Sequence, residues 1–249
     1  MNCPIPSLNY ERLSLDLAVS MKNYAKSHKL IIGISGGVDS AVCAYLAIKA
    51  VGTKNVLAYL MPSTKEGIEV AETLGLEYEI IDIEESINAD LKSRPKISEE
   101  KKNLVIGNMK SRQRAKILYS FSNEFDGRVV GTSNKDEIEM GYFTKGGDGL
   151  VDFEPIGDLV KGEVYGLARL AVVEGLLPNS VLEIAPSAGL WAGQTDEKEI
   201  GMSYEEIDRM VRGLEPYNEK MQKMHDNTIN KREMPPVFKV KIEDYLIKD

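Results

Sequence analysis

The chain has 249 residues, 31 Lys and Arg against 39 Asp and Glu, and a formal net charge of −8. This length allows one or two domains with a full core, and 43% hydrophobic with 28% charged residues is an ordinary globular composition. The acidic balance offers no nucleic-acid footprint, two cysteines are too few for a disulfide framework or zinc cluster, and no run approaches the roughly 18 apolar residues of a membrane span.

From the N-terminus, Met1-Asn2-Cys3-Pro4-Ile5-Pro6 has no basic stretch followed by an apolar core, so a signal peptide is not expected and the expected location is cytoplasmic. Segments 29–34, 55–61, 77–83 and 127–132 are rich in Val, Ile, Leu and Tyr and read as short buried strands. Helical patterns at 38–50, 65–75 and 97–124 fill the gaps. This alternation predicts an α/β, Rossmann-like, doubly wound parallel sheet, with its core over about 29–175. Ligands of such sheets bind beyond the carboxyl ends of the strands. Further on, Thr144-Lys145-Gly146-Gly147-Asp148-Gly149 is a turn-rich loop. A helix is expected at about 160–175, an irregular loop at 183–195, and a capping box at Ser203-Tyr204-Glu205-Glu206. Tyr204, Ile207, Val211 and Leu214 then share one helical face. A last helix at roughly 216–230 is stopped by Pro235-Pro236. Residues from about 176 to 249 therefore read as an elaboration of one domain rather than a second one.

Ser35-Gly36-Gly37-Val38-Asp39-Ser40 follows the apolar run Leu30-Ile31-Ile32-Gly33-Ile34. Strand, tight turn and helix N-terminus in that order aim backbone N–H groups and the positive end of a helix dipole at one point, a phosphate site. Asp39 beside a polyphosphate would be repulsive without a divalent cation between them. The turn lacks the Gly-Lys-Ser/Thr ending of a P-loop, and the chain has no G-x-G-x-x-G. A second cluster, Gly131-Thr132-Ser133-Asn134-Lys135-Asp136-Glu137, also falls at a strand end. Its acidic pair could hold a metal or serve only the dipole of a first helical turn.

The S-G-G-x-D-S turn matches the signature of the ATP pyrophosphatases, and the ordered set of motifs resembles the ammonia-dependent NAD synthetases of that superfamily. The resemblance runs from about Leu30 to Pro236 and includes Gly107-Asn108-Met109-Lys110-Ser111-Arg112-Gln113-Arg114, Gly131-Thr132 with Glu137, and Gly141-Tyr142-Phe143-Thr144-Lys145. Gly147-Asp148-Gly149, Asp152, Pro155, Lys161, Pro186-Ser187-Ala188, Gln194 with Asp196-Glu197, Tyr204 with Ile207-Asp208, and Lys231-Arg232 continue it. It implies a sheet of the adenine nucleotide alpha-hydrolase type. The implied reaction is adenylation of the nicotinate carboxylate of deamido-NAD by ATP, releasing pyrophosphate. Ammonia then attacks the acyl adenylate to give NAD and AMP.

By the same resemblance Gly33, Ile34, Ser35, Gly36, Gly37, Val38, Asp39 and Ser40 would hold the ATP phosphates, with Asp39 and Glu137 as magnesium ligands. Thr132, Lys161 and Ser187 would contact ATP, and Arg112, Lys145, Asp152, Asn230 and Lys231 would contact deamido-NAD. Lys161, Asp39 and Glu137 would stabilise charge in the reaction, with no covalent nucleophile. A homodimer with the dinucleotide partly between subunits is implied as well. Residues 1–29 leave no room for an amidase module before the phosphate strand, so free ammonia is the expected nitrogen donor.

Individual residues also have plainer readings. Arg112 lies four residues after Asn108, on one helical face, whereas Arg114 lies about 200° round the helix and reads as surface or interface. Gln194, Asp196 and Glu197 could simply cap the next helix, Cys43 reads as core, and His225 as surface. The chain departs from the family where a His-Lys pair is common, having Asn230-Lys231, and where Thr and Asp are common, having Ser187 and Gly189. Two rivals are another ATP pyrophosphatase, acting on a tRNA base or a xanthine nucleotide, and a non-catalytic nucleotide sensor. The acidic, cysteine-poor composition argues against the first, and the Asp39, Glu137 and Lys161 set against the second.

Overall fold

The computed structural model describes residues 8–93, 96–187 and 195–239. In chain order the elements are α1 (Tyr10–Ala25), β1 (Lys29–Gly33), α2 (Val38–Val51), β2 (Val56–Leu60), α3 (Lys65–Thr73), β3 (Tyr78–Ile80) and α4 (Glu84–Ser93). They continue with α5 (Lys102–Phe125), β4 (Gly127–Val129), α6 (Lys135–Met140), α7 (Lys161–Val173) and α8 (Ser180–Glu183). The last are α9 (Asp196–Ile200), α10 (Tyr204–Val211), α11 (Glu219–Asn227) and α12 (Ile229–Arg232).

The four strands form one parallel sheet in the order β3-β2-β1-β4. β1 shows why both faces are covered. Its Leu30 and Ile32 belong to the core beneath α1, α2 and α7, while Ile31 between them packs with Tyr59, Val129 and the α5 side chains Leu118 and Phe121. Side chains of a strand alternate in direction, so a run with no polar member must be buried on both sides. The chain reverses its progression across the sheet between β1 and β4, and the crevice outside the carboxyl ends of these two strands is the expected ligand position.

The strands begin where the hydrophobic runs predict, but β4 ends at Val129, and a lone bridge from Val130 to Phe153 continues its edge. Two helices escape the sequence reading. α1 buries Ser14, Ala18, Met21 and Ala25 with Leu13 and Leu17 packed beside them, but Leu15 and Val19 are exposed on its other side, so apolar residues on both faces blur its pattern. α4 buries only Ile87 and has no apolar stripe to detect. The long helix expected from 97 begins at Lys102, after a single 3₁₀ turn at Glu99–Lys101. Beyond the sheet, Met140, Ile200, Met202, Tyr204, Ile207, Met210 and Met221 form a separate small core that joins α6 to the C-terminal helices.

Candidate active site

The phosphate turn is tied to itself. Ser35 and Ser40 hydroxyls lie 3.0 Å apart, the Ser35 N–H donates to Ser40 Oγ at 3.2 Å, and Gly37 N–H donates to Ser35 Oγ at 3.2 Å. The N-cap of α2 is Gly37, which has no side-chain oxygen to occupy the first-turn amides. Those amides are left for an anion. Gly36 has φ +91°, and a Cβ there would sit 2.7 Å from Gly67 N and 2.8 Å from Glu66 Cβ. Only glycine fits both the backbone conformation and the space.

Across the crevice, α6 and α7 begin side by side. Asn134 caps α6 in a capping box with Glu137 and also donates from Nδ2 to Asp39 Oδ1 at 3.0 Å. Lys161, the first residue of α7, is 2% exposed. Its Nζ lies 2.6 Å from Asp39 Oδ2, 3.7 Å from Glu137 Oε1 and 4.7 Å from the centroid of the Tyr204 ring. Burial alone would lower the lysine pKa, but Asp39 and Glu137 outweigh it and keep the ammonium charged. The Glu137 carboxyl is pushed up to about 8, first by burial and then by Asp39. Two carboxylates thus crowd one cation. Among the described residues no group of three or more His, Cys, Asp or Glu is arranged to hold a metal by itself. The hard oxygen donors Asp39 and Glu137 suit a small divalent cation that takes its remaining ligands from water and phosphate.

Beneath this centre lie two more buried acids. Asp136 Oδ2 accepts the Lys161 N–H at 2.7 Å and Asp208 Oδ2 the Gly162 N–H at 2.8 Å. Their Oδ1 atoms are buried with no donor among the described residues. Burial and the neighbouring Asp208 raise the Asp136 carboxyl well above the ordinary carboxylate range.

The third wall is the glycine loop. Asp148 Oδ1 accepts from Ser111 Oγ at 2.5 Å and from Thr144 N–H at 2.9 Å, and Thr144 Oγ1 donates to Asn108 at 2.7 Å. The Lys231 ammonium donates to the Gly141 and Phe143 carbonyls, each at 2.6 Å. Lys145 donates to the Asn230 carbonyl, and Arg112 Nε to the Lys145 carbonyl at 3.3 Å. All three walls face a single cavity of about 620 Å³.

The NAD synthase family model matches residues 10–248. The chain belongs to the NAD synthase family. The NH(3)-dependent NAD(+) synthetase of Archaeoglobus fulgidus is 39% identical, over 94% of this chain and 99% of that one. Among solved structures, an NMN synthetase from Francisella tularensis superposes with a TM-score of 0.82 at 31% identity, over 94% of this chain and all of that one. An NH3-dependent NAD synthetase from Campylobacter jejuni does so with a TM-score of 0.71 at 28% identity.

Of the residues expected at the site, Gly33 to Ser40, Thr132, Glu137, Lys161, Ser187, Arg112, Lys145 and Lys231 all line the cavity. Asn230 does not line it but meets Lys145 through its carbonyl. Asp152 is likewise absent from the cavity wall. Its carboxylate accepts the Val129 N–H at 2.7 Å, bracing the edge of β4. Asn108 lines the cavity beside Arg112, as their spacing predicts. Asp196 both starts α9 and reaches the cavity, accepting from Tyr204 Oη at 3.0 Å, while Glu197 accepts the Tyr204 N–H at 2.8 Å. Gln194 and Gly189 lie outside the described residues.

Two surface assignments need correction. Arg114 lines the cavity too, because its long side chain folds back to donate to the Met61 carbonyl at 2.5 Å. His225 is half-buried, 3.1 Å from Glu139 and edge-on to Tyr217. Cys43 is fully buried in α2, and burial raises its thiol well above the ordinary value, which suits packing and not attack. The sequence reading missed Glu154, whose carboxylate accepts the Ser133 N–H at 3.0 Å and is pushed up to about 8 by burial. A Cβ on Gly131 would lie 2.2 Å from its Oε2. The glycine before Thr132 was the available clue.

Proposed function

We propose that this chain is a C–N bond-forming ligase that amidates deamido-NAD with ammonia at the expense of ATP, giving NAD, AMP and pyrophosphate. The observation that carries this reading is the shared cavity, where the phosphate turn of Ser35–Ser40 faces Lys161, Asp39 and Glu137 in a chain of the NAD synthase family. A carboxylate is a poor acyl donor because its leaving group would be oxide. In the first step a nicotinate carboxylate oxygen bonds to the α-phosphorus and the bond to the bridging oxygen breaks, releasing pyrophosphate. In the second the ammonia nitrogen bonds to the acyl carbon, AMP leaves, and the nitrogen gives up its extra proton.

The residues act by positioning and by stabilising charge. The first-turn amides of α2 and the Ser35 and Ser40 hydroxyls cradle phosphate oxygens, with Gly33, Ile34 and Val38 shaping the wall and Thr132 and Ser187 adding ATP contacts. Lys161 meets charge building on the α-phosphate and the departing pyrophosphate. Asp39 and Glu137 would hold Mg2+, which would neutralise pyrophosphate charge. Arg112, Lys145 and Lys231 would meet the deamido-NAD at the rim. Asp152 and Asn230 stay proposed contacts for the part of the dinucleotide beyond this cavity, in a homodimer whose two subunits share it. We read the chain as one domain, supported by the family match over residues 10–248, and as an enzyme of the cytoplasm.

The test is NAD formation from deamido-NAD, ATP, magnesium and ammonium, read through a coupled dehydrogenase, with AMP and pyrophosphate measured in equal amounts. Efficient use of glutamine by the pure chain would overturn the ammonia assignment, and an active strict monomer in light scattering would overturn the dimer. The Francisella NMN synthetase, with its TM-score of 0.82, gives reason for a second acceptor, nicotinic acid mononucleotide. Preference for the mononucleotide in the same assay would move the assignment to that substrate.

A further inference from the structure

Helix α10 grips Lys161 at both ends. Tyr204 and Asp208 are four residues apart in this helix, so they project from one face. The Tyr204 ring meets the lysine ammonium at 4.7 Å from its centroid, and its hydroxyl is anchored on Asp196 at 3.0 Å. Asp208 takes the Gly162 N–H at 2.8 Å, the amide next to Lys161 in the first turn of α7. That turn needs outside help. Its N-cap is Val160, whose side chain offers no oxygen, so Asp136 and Asp208 cap the helix from other elements. Tyr204 and Asp208 are 7% and 3% exposed, and neither lines the cavity. Tyr204 sits in the small core of the C-terminal helices, separate from the core of the sheet, while Asp208 turns to the start of α7. A lysine side chain has four rotatable bonds and loses much rotamer freedom when fixed, and a buried ammonium facing two carboxylates has more than one place to go.

We propose that α10 is the positioning element of Lys161, with Tyr204 setting the ammonium and Asp208 setting the backbone that carries it. The proposal rests on the synthetase reading for the role of Lys161 in turnover. Neither residue meets substrate, so their loss lowers the rate of the chemical steps more than it weakens nucleotide binding.

The test uses the full-length chain with magnesium, ATP, deamido-NAD and ammonium. Tyr204→Leu is expected to lower kcat by about tenfold or more, with KM for both nucleotides within about threefold, and Tyr204→Phe, which keeps the ring, to recover most of that loss. In a Lys161→Ala background Tyr204→Leu is expected to cost nothing further, since no ammonium remains to be placed. Equal losses in both backgrounds would overturn the proposal, because a merely structural role does not depend on Lys161. If Leu at 204 prevents folding, Asp208→Ala takes its place in the same cycle. Independently of turnover, reductive methylation of Lys161, read by mass spectrometry, is expected to run at least about fivefold faster in the variant. An unchanged methylation rate also overturns the proposal. A parent protein that makes no NAD, with methylation still accelerated in the variant, would refute the synthetase reading and leave the positioning role standing.

Discussion

At the phosphate end of the cavity the working groups lie within six consecutive residues, Ser35 to Ser40, and their hydrogen bonds close on one another. At the lysine end they come from α2, α6, α7, α9 and α10, and contacts such as Asp39 with Lys161 and Gly162 with Asp208 join distant parts of the chain. The first end is preorganised by local backbone geometry. The second depends on a folded C-terminal region. Damage to the turn should therefore act on ATP binding, and damage to the lysine end on the reaction itself.

The largest effect expected is that of Lys161→Ala. Removing a preorganised cation from a buried site costs on the order of 10²–10³ in rate, so kcat should fall by about that factor while ATP still binds. Fluorescence titration with a nucleotide analogue beside steady-state kinetics checks this. A kcat within threefold of the parent would remove Lys161 from the mechanism and erase the distinction between the two ends. Gly36→Ala comes next and should break the other end. Its φ of +91° and the 2.7 Å approach to Gly67 N leave no room for a methyl group, and strain of about 1–3 kcal/mol should appear as a raised KM for ATP with a smaller change in kcat.

The pH response sharpens the comparison, because the raised carboxyls Glu137, Glu154 and Asp136 lie at the lysine end and its supports and not in the phosphate turn. Glu137 moves from 4.5 to about 8 through burial and Asp39, and Glu154 from 4.5 to about 8 through burial. The folded protein then binds protons that the unfolded chain has released. Stability from these groups is full below about 4.5 and is lost as pH rises through about 8. The melting temperature of the ligand-free protein should therefore fall between pH 6 and pH 9. Activity should rise over the same interval, since ionised Glu137 is the form proposed to hold magnesium. Glu137→Gln is expected to reduce the slope of the melting temperature against pH, with Glu154 and Asp136 carrying the remainder, and a slope unchanged in that variant would show that Glu137 is not a source of it.

How much of this could be read from the sequence follows the same division. The turn, its strand and its helix were legible because every signal is local: a β-branched run, two glycines and a helix-forming segment. Asp39, Glu137 and Lys161 were brought in by motif resemblance, and the cavity unites them. The partners of Lys161 were not legible. Tyr204 showed as a position on a helical face and Asp208 as a family position, but nothing along the chain says that both meet a residue more than 40 positions earlier. α1 and α4 were missed for a different reason. One carries apolar residues on both faces, with Leu13, Leu17 and Met21 packed inward and Leu15 and Val19 exposed, and the other buries a single isoleucine. Arg114 was misread because helical angle fixes where a Cβ points but not where a long side chain ends.

The smallest expected effect concerns a residue that belongs to neither end. Cys43 lies on α2 just past the phosphate turn and is 0% exposed, packed in the main core beside Ala41, Val42 and Ala44. Its position invites a catalytic role, yet burial raises the thiol and the nearby carboxylates Glu154, Asp39 and Glu137 raise it further. A thiol so placed is neither ionised nor reachable. Cys43→Ala should remove one buried sulfur's worth of packing, about 1 kcal/mol, and lower the melting temperature by roughly 2–4 °C. In the native parent, Cys43 should resist alkylation by iodoacetamide at pH 8 until denaturant is added, as peptide mass spectrometry would show. Rapid alkylation of Cys43 under native conditions would mean that the core beneath the turn opens readily. The phosphate end would then lean on contacts from outside its own six residues, such as Thr64 Oγ1 on the Ser35 carbonyl at 2.9 Å, as the lysine end does.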